Sequence, residues 1–243
     1  MSDMSDGANN LIVIVIDGKT KREKRYEIPR SKIDSYTTVL ELLLMIREQI
    51  DPSLVFRYSC RMAACGSCGM VINGKPRLAC LTKVKDLEEP IRIEPLKNFK
   101  PIRGLATDFS EFFAKYKSVR PFLVAKDEIE QEQPTAPYKQ TDEEVKRYIQ
   151  FNYCIQCGLC YSACPVVSSN PRFLGPAALT VAYRYEADSR DADTKRWKIV
   201  DSPNGLWACR VAGSCSVVCP KGVDPSLAIQ LYKSLLLIRR KGK

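Results

Sequence analysis

Cys154-Ile155-Gln156-Cys157-Gly158-Leu159-Cys160-Tyr161-Ser162-Ala163-Cys164-Pro165 carries four cysteines spaced C-x2-C-x2-C-x3-C and followed by proline. That is the spacing with which two-cluster bacterial proteins hold iron–sulfur centres. Further along, Cys209-Arg210-Val211-Ala212-Gly213-Ser214-Cys215-Ser216-Val217-Val218-Cys219-Pro220 repeats the run with Ala212 where the second cysteine belongs. Alanine cannot bind iron, so one corner has no thiolate. In such pairs the fourth cysteine of each run ligates the other cluster. Crossed in this way, Cys154, Cys157, Cys160 and Cys219 surround a [4Fe–4S] centre. Cys164, Cys209 and Cys215 are left with Ala212, and three thiolates are the complement of a [3Fe–4S] centre. A labile [4Fe–4S] centre with water or a non-cysteine ligand at its fourth iron is the alternative. No carboxylate stands at the place, and Val211 with Ala212 makes an apolar corner expected to keep water away.

Cys60, Cys65, Cys68 and Cys80 are separated by four, two and eleven residues. C-x4-C-x2-C with a distant fourth cysteine is the plant-type pattern for a [2Fe–2S] centre. Gly66 and Gly69 flank two of these ligands and allow the tight turns that aim amides at sulfur. Tetrahedral zinc also takes four thiolates, usually as two C-x2-C knuckles, which the x4 and x11 gaps fit badly. The three sets together use all 11 cysteines and leave none spare.

The chain of 243 residues has no histidine. That removes a Rieske centre, a histidine-ligated haem, a Cys2His2 zinc site and Ser-His or Cys-His catalysis. An odd cysteine count, this length and no recognisable signal peptide argue against a disulfide scaffold and for a reducing compartment. The net charge of +10 suits an anionic membrane surface or an acidic partner, or simply a lysine-rich solvated surface. No apolar run approaches the roughly 20 residues of a spanning helix. With three one-electron centres and no G-x-G-x-x-G or phosphate loop for a nucleotide, the chain reads as a relay serving a two-electron cofactor on another subunit. A nucleic-acid-binding role would need aromatic–basic interleaving, which is absent.

Leu11–Ile16 reads as a strand, Asp17-Gly18 as a turn, and a charged second strand ends near Ile28-Pro29. Val39, Leu42, Leu43 and Ile46 give a helical face over Val39–Gln49, capped by Thr37 or Thr38 and stopped at Asp51-Pro52. Residues 60–80 read as a cysteine-bearing loop with a turn at Asn73-Gly74, and Ile91–Ile93 as a closing strand. This predicts an α+β domain over 1–105. A second, mostly helical domain over 106–243 begins with a helix near Asp108–Tyr116 and includes a polar, proline-bearing connecting segment at 126–141.

The chain resembles the iron–sulfur subunits of succinate dehydrogenase and fumarate reductase (respiratory complex II). The resemblance is carried by Phe56-Arg57-Tyr58-Ser59-Cys60 through Cys68-Gly69, Asn73-Gly74-Lys75-Pro76-Arg77-Leu78-Ala79-Cys80, Asn170-Pro171-Arg172-Phe173-Leu174-Gly175-Pro176, Asp188-Ser189-Arg190-Asp191 and Cys219-Pro220-Lys221-Gly222-Val223-Asp224-Pro225. It implies an N-terminal β-grasp plant-type ferredoxin domain followed by an α-helical bacterial ferredoxin-like domain. It implies a flavoprotein partner carrying FAD and the dicarboxylate site, and membrane-anchor subunits with a quinone site. Electrons would run FAD, [2Fe–2S], [4Fe–4S], [3Fe–4S], quinone, or the reverse, as part of the tricarboxylic acid cycle or fumarate respiration. Pro165, Arg210, Gln230 and Lys233 match the family's quinone-site positions; Lys233 is otherwise an ordinary basic residue. Val166-Val167-Ser168-Ser169 stands where ubiquinone-linked members carry tryptophans and points to the menaquinone-linked or fumarate-reductase branch. The basic tail Arg239-Arg240-Lys241-Gly242-Lys243 suits the cytoplasmic face of the cell membrane, or is a plain solvated tail. A second reading keeps the three clusters and pairs them with a different flavoprotein oxidoreductase.

Overall fold

Leu11, Val13 and Val15 are buried along one face of strand β1 (Asn10–Ile16), and β-branched residues on both faces suit a strand with neighbours on each side. In this computed structural model, which describes residues 9–125, 132–133 and 135–241, the chain forms two compact units. One comprises Met1–Phe109 and Ile155–Ser162, the other Ser110–Cys154 and Ala163–Lys243. Of the expected connecting segment, 126–131 and 134 lie outside the described residues.

In the first unit β1 pairs antiparallel with β2 (Glu23–Pro29) and parallel with β5 (Ile91–Glu94). The sheet continues through β3 (Gly69–Ile72) to β4 (Lys75–Leu78), giving the order β2-β1-β5-β3-β4. Helix α1 (Val39–Gln49) buries Val39, Leu40, Leu42, Leu43 and Ile46. Thr38 caps it: its hydroxyl accepts from Glu41 N–H at 3.3 Å, and the Glu41 carboxylate accepts from Thr38 N–H at 2.7 Å. This unit is the β-grasp, plant-type ferredoxin domain of an α+β chain.

A second hairpin, β6 (Lys100–Arg103) and β7 (Ala106–Asp108), was not legible as strand, and the boundary expected after residue 105 falls inside it. Its turn is fixed at Gly104, where φ is +57° and a Cβ would lie 2.5 Å from the Val55 carbonyl oxygen. The segment Ile155–Ser162 packs with this unit. The Ser162 hydroxyl accepts from Lys97 N–H at 2.9 Å, the Asn98 amide donates to the Tyr161 carbonyl at 3.0 Å, and the Phe99 ring stacks on Phe109 at 4.3 Å.

The second unit is helical. Pro176–Glu186 starts with proline in its first turn and is buried from Pro176 to Tyr183. It packs against the C-terminal helix Pro225–Lys241, where the Tyr232 hydroxyl donates to Glu186 at 3.0 Å. Two buried polar knots hold the loops between helices. The Asp188 carboxylate accepts from Arg184, Arg190 and Gln140 at 2.8–3.1 Å. Arg196, with no exposed surface, pairs with Asp191 and donates to the carbonyls of Arg120 and Phe122 at 3.2 and 2.9 Å. Among the described residues no helix is long and apolar enough to cross a membrane.

Candidate iron–sulfur centres

The gap of eleven residues between Cys68 and Cys80 is a β-hairpin. Strand β3 starts at Gly69 and β4 ends at Leu78, these two are partners, and Ala79 N–H closes the ladder on the Cys68 carbonyl at 3.0 Å. The two cysteines therefore stand at the open end of the hairpin. Its turn is Asn73-Gly74, with φ of +46° and +77°. The expectation of loop throughout 60–80 needs correcting here. The turn signal was present, but four-residue strands containing glycine and proline become strand only through pairing, β4 with β3 and β3 with β5.

Before the hairpin the backbone turns repeatedly into the left-handed region, at Arg61 (φ +56°), Ala63 (φ +55°) and Gly66 (φ +72°). These turns aim amides at sulfur. Cys60 Sγ accepts from the N–H of Met62, Ala64 and Cys65 at 3.5, 3.3 and 3.2 Å. Cys65 Sγ accepts from Ser67 N–H at 3.5 Å, Cys80 Sγ from Ala63 N–H at 3.3 Å, and Cys68 Sγ from Cys80 N–H at 3.5 Å. Amides that converge on sulfur favour thiolate over thiol. The Ser67 hydroxyl pulls the Cys65 thiol down to about 6, whereas burial pushes Cys68 up to about 12. A buried thiolate needs positive charge close by, which iron supplies. Four thiolates with donated N–H bonds fit a [2Fe–2S] centre.

The second unit gathers Cys164, Cys209 and Cys215 around one small, partly open cavity, lined also by Ala212, Pro165 and Arg210. Cys164 precedes the short helix Pro165–Ser169, Cys209 follows a turn at Leu206–Ala208, and Cys215 lies in the turn Ser214–Val217. Burial pushes Cys164 up, and Cys215 up to about 11, so neither ionises readily without a cation. Three thiols and an alanine methyl fit a centre with three iron–thiolate bonds. Val211 has φ of +58°, a genuine outlier for a β-branched residue, and Gly213 has +73°. The apolar corner expected at Val211 and Ala212 does not exclude water within this chain: both residues are exposed.

Cys157 and Cys160 belong to the first unit, Cys154 and Cys219 to the second, and all four are half-buried. Gln156 (φ +55°) and Gly158 (φ +76°) repeat the left-handed pattern between them. On the C-terminal helix, Lys233 donates to the Cys209 carbonyl, and Gln230 Nε2 is buried with no hydrogen-bond partner among the described residues. In the basic tail, exposed Arg239 and Arg240 pair with Glu186 at 2.6 Å and Asp201 at 2.7 Å, while residues 242–243 lie outside the described residues.

Two family models match the chain: a 2Fe-2S iron-sulfur cluster binding domain over residues 10–114 and a 4Fe-4S dicluster domain over 150–223. The fumarate reductase iron-sulfur subunit of Mycobacterium tuberculosis is 49% identical, covering 86% of this chain and 83% of that protein. The corresponding subunit of Haemophilus influenzae is 44% identical, over 86% and 84%. The succinate dehydrogenase iron-sulfur subunit of Paracoccus denitrificans is 37% identical, over 83% and 77%. A chain of the Mycobacterium smegmatis Sdh1 complex in the apo form superposes with a TM-score of 0.85 at 24% identity, covering 96% of this chain and 97% of that one, and so shares the fold.

Proposed function

Because the chain belongs to the family of iron–sulfur subunits of fumarate reductase and succinate dehydrogenase, we propose that it relays electrons between the FAD of a flavoprotein subunit and quinone held at membrane-anchor subunits. It would do so as the non-catalytic-site subunit of a succinate:quinone or quinol:fumarate oxidoreductase. When bound, its [2Fe–2S], [4Fe–4S] and [3Fe–4S] clusters supply one-electron transfer, and the two-electron chemistry belongs to the partner's flavin.

In this reading Cys60, Cys65, Cys68 and Cys80 hold the [2Fe–2S] centre within the 1–105 domain. Amides from Met62 to Ser67 spread the negative charge that gathers on sulfur. Within 106–243, Cys154, Cys157, Cys160 and Cys219 hold the [4Fe–4S] centre, and Cys164, Cys209 and Cys215 the [3Fe–4S] centre. The observation that carries the reading is the cavity those last three cysteines share with Ala212, which has no thiolate to offer.

Quinone would meet the chain beside that cavity. Pro165 and Arg210 line it, while Gln230 and Lys233 would contribute from the C-terminal helix, where Gln230 Nε2 is buried without a hydrogen-bond partner among the described residues. Val166-Val167-Ser168-Ser169 favours a menaquinone-type partner. Peripheral attachment at the cytoplasmic face is supported by the net charge of +10, which anionic lipid attracts.

EPR of the purified complex tests the assignment. The oxidised sample should show the [3Fe–4S] signal, and succinate should reduce at least one centre. Silence in the oxidised state, with zinc found by metal analysis, would sink it.

A further inference from the structure

Gly66 lies between Cys65 and Ser67 with φ of +72°, and a Cβ added there would meet Cys157 Cβ at 2.7 Å, Cys157 Cα at 2.9 Å and the Ile155 carbonyl oxygen at 3.1 Å. The first of these is about 0.7 Å inside the 3.4 Å at which ordinary contact begins. Gly69, which follows Cys68, is a second point of approach. A Cβ there would come within 3.2 Å of the Cys157 carbonyl oxygen and 3.2 Å of Leu159 Cδ2. Gly66, Gly69 and Cys157 belong to the same unit. At Gly66 the space a side chain would fill is thus already taken by Cβ and Cα of Cys157, so the two cysteine loops lie close together there. On its far side the 155–158 loop is seated by Gly158, where a Cβ would meet Phe99 at 2.7 Å and Phe109 at 2.9 Å.

From these contacts we infer that the Gly66–Cys157 approach is the bridge by which an electron passes between the first two centres, and that Gly66 and Gly69 are positioning residues for that step. The inference rests on the ligand sets proposed above. One electron leaves the reduced [2Fe–2S] centre, which is oxidised, and reduces the [4Fe–4S] centre; no bond is made or broken and no proton moves. Its route follows the Cys65–Gly66 backbone, crosses one van der Waals gap, and enters Cys157, a ligand of the second centre. The demand for a left-handed residue does not by itself account for the contact. Gly74 has φ of +77° with nothing within 4 Å, and Gly69 makes its approach without a positive φ.

The test uses the complete complex, carrying Gly66→Ala, Gly69→Ala or, as a control for backbone strain alone, Gly74→Ala. Iron content and EPR count the centres, redox titration gives their midpoint potentials, and flash photoreduction with rapid freezing gives the rate of equilibration between them. Gly69→Ala, free of a positive φ, is expected to keep both signals and potentials, and Gly66→Ala to keep both signals. Equilibration should slow severalfold, because electron transfer across a van der Waals gap falls steeply as the gap widens. Gly74→Ala should equilibrate at the unaltered rate. If Gly66→Ala does not assemble, Gly69→Ala, free of the φ penalty, decides the matter. An unchanged rate in the variants that assemble, or equal slowing in Gly74→Ala, overturns the bridge. Absence of a [2Fe–2S] or [4Fe–4S] signal from the unsubstituted complex instead overturns the ligand assignment, and the bridge with it.

Discussion

The Lys233 ammonium donates a hydrogen bond to the Cys209 carbonyl oxygen at 3.2 Å, fastening the C-terminal helix to the loop that brings Cys209 to the cavity. The Trp207 ring lies 5.8 Å from the same ammonium, and its indole N–H donates to Asp201 at 2.6 Å. A cation against a ligand's peptide group favours the more negative, reduced state of whatever that ligand holds. Lys233→Met is therefore expected to lower the midpoint potential of the proposed [3Fe–4S] centre by about 30–60 mV, up to about tenfold in the one-electron equilibrium. Lys233→Arg should restore most of it. An EPR-monitored redox titration reads both, and an unmoved potential in Lys233→Met would rule the charge out as a tuning element.

Ala212→Cys places a fourth thiol on the cavity lined by Cys164, Cys209 and Cys215. Conversion towards a [4Fe–4S] centre is expected, with a lower potential and impaired electron exchange with quinone. The oxidised EPR signal should fall and iron content should rise; an unchanged spectrum would count against the ligand geometry.

Acid should loosen the second unit through its buried carboxylates. Burial pushes the Asp188 carboxyl up, but the hydrogen bonds from Arg190 and the charge of Arg184 outweigh it and hold the group below the usual carboxylate range. Asp193 and Asp201 are also held low, against burial, by Arg120 and by Trp207 with Arg240. Their native values lie below the unfolded value of about 3.9, so their stabilisation is complete above that pH. It is lost as pH falls through the native values. Denaturant titrations should show stability dropping below about pH 4, and Asp188→Asn should flatten that limb.

Asp188→Ala removes the charge that two arginines share, with Arg190 at 2.8 Å and Arg184 at 3.1 Å. Uncompensated buried charge of this kind costs about 3–5 kcal/mol. Thermal unfolding monitored by circular dichroism should show the second unit melting at lower temperature, and Asp188→Asn should be the milder change.

Gly104→Ala tests the turn of the β6–β7 hairpin. The added Cβ would meet backbone, the Val55 carbonyl oxygen at 2.5 Å, with no flexible side-chain end to give way. It also forces alanine to φ of +57°. Backbone strain of this sort costs about 1–3 kcal/mol. Equilibrium unfolding should register at least that loss, and a variant as stable as the parent would show the hairpin to be pliable.

What the sequence reveals of the fold divides by range. Strand β1 and helix α1 were legible because a continuous β-branched run, the 3.6-residue period and a capping threonine are local signals. Hairpin β3–β4 was half legible: Asn73-Gly74 announces its turn, but the strand character of Met70 and Arg77 depends on pairing partners. Arg196 was not legible at all. Its burial depends on carbonyls at Arg120 and Phe122, which no pattern near residue 196 reveals. The same holds for Arg239 and Arg240, whose partners Glu186 and Asp201 lie on other elements. At the candidate centres, spacing groups the cysteines by residue type and interval. The left-handed turns at Arg61, Gln156 and Val211 that aim the loops leave no mark in residue choice.

The packing of Ile155–Ser162 with the β-grasp sheet bears on how the protein is made. Leaving the ribosome in order, the chain presents the complete sheet by residue 109, yet Phe99, Phe109 and Leu96 then lack the segment that covers them. The N-terminal domain cannot finish folding until residue 162 has been synthesised, by which time the beginning of the helical unit has already emerged. The first cysteine loop, which rests on that late segment through Gly66, therefore gains its full set of neighbours only once translation has passed into the second half of the chain.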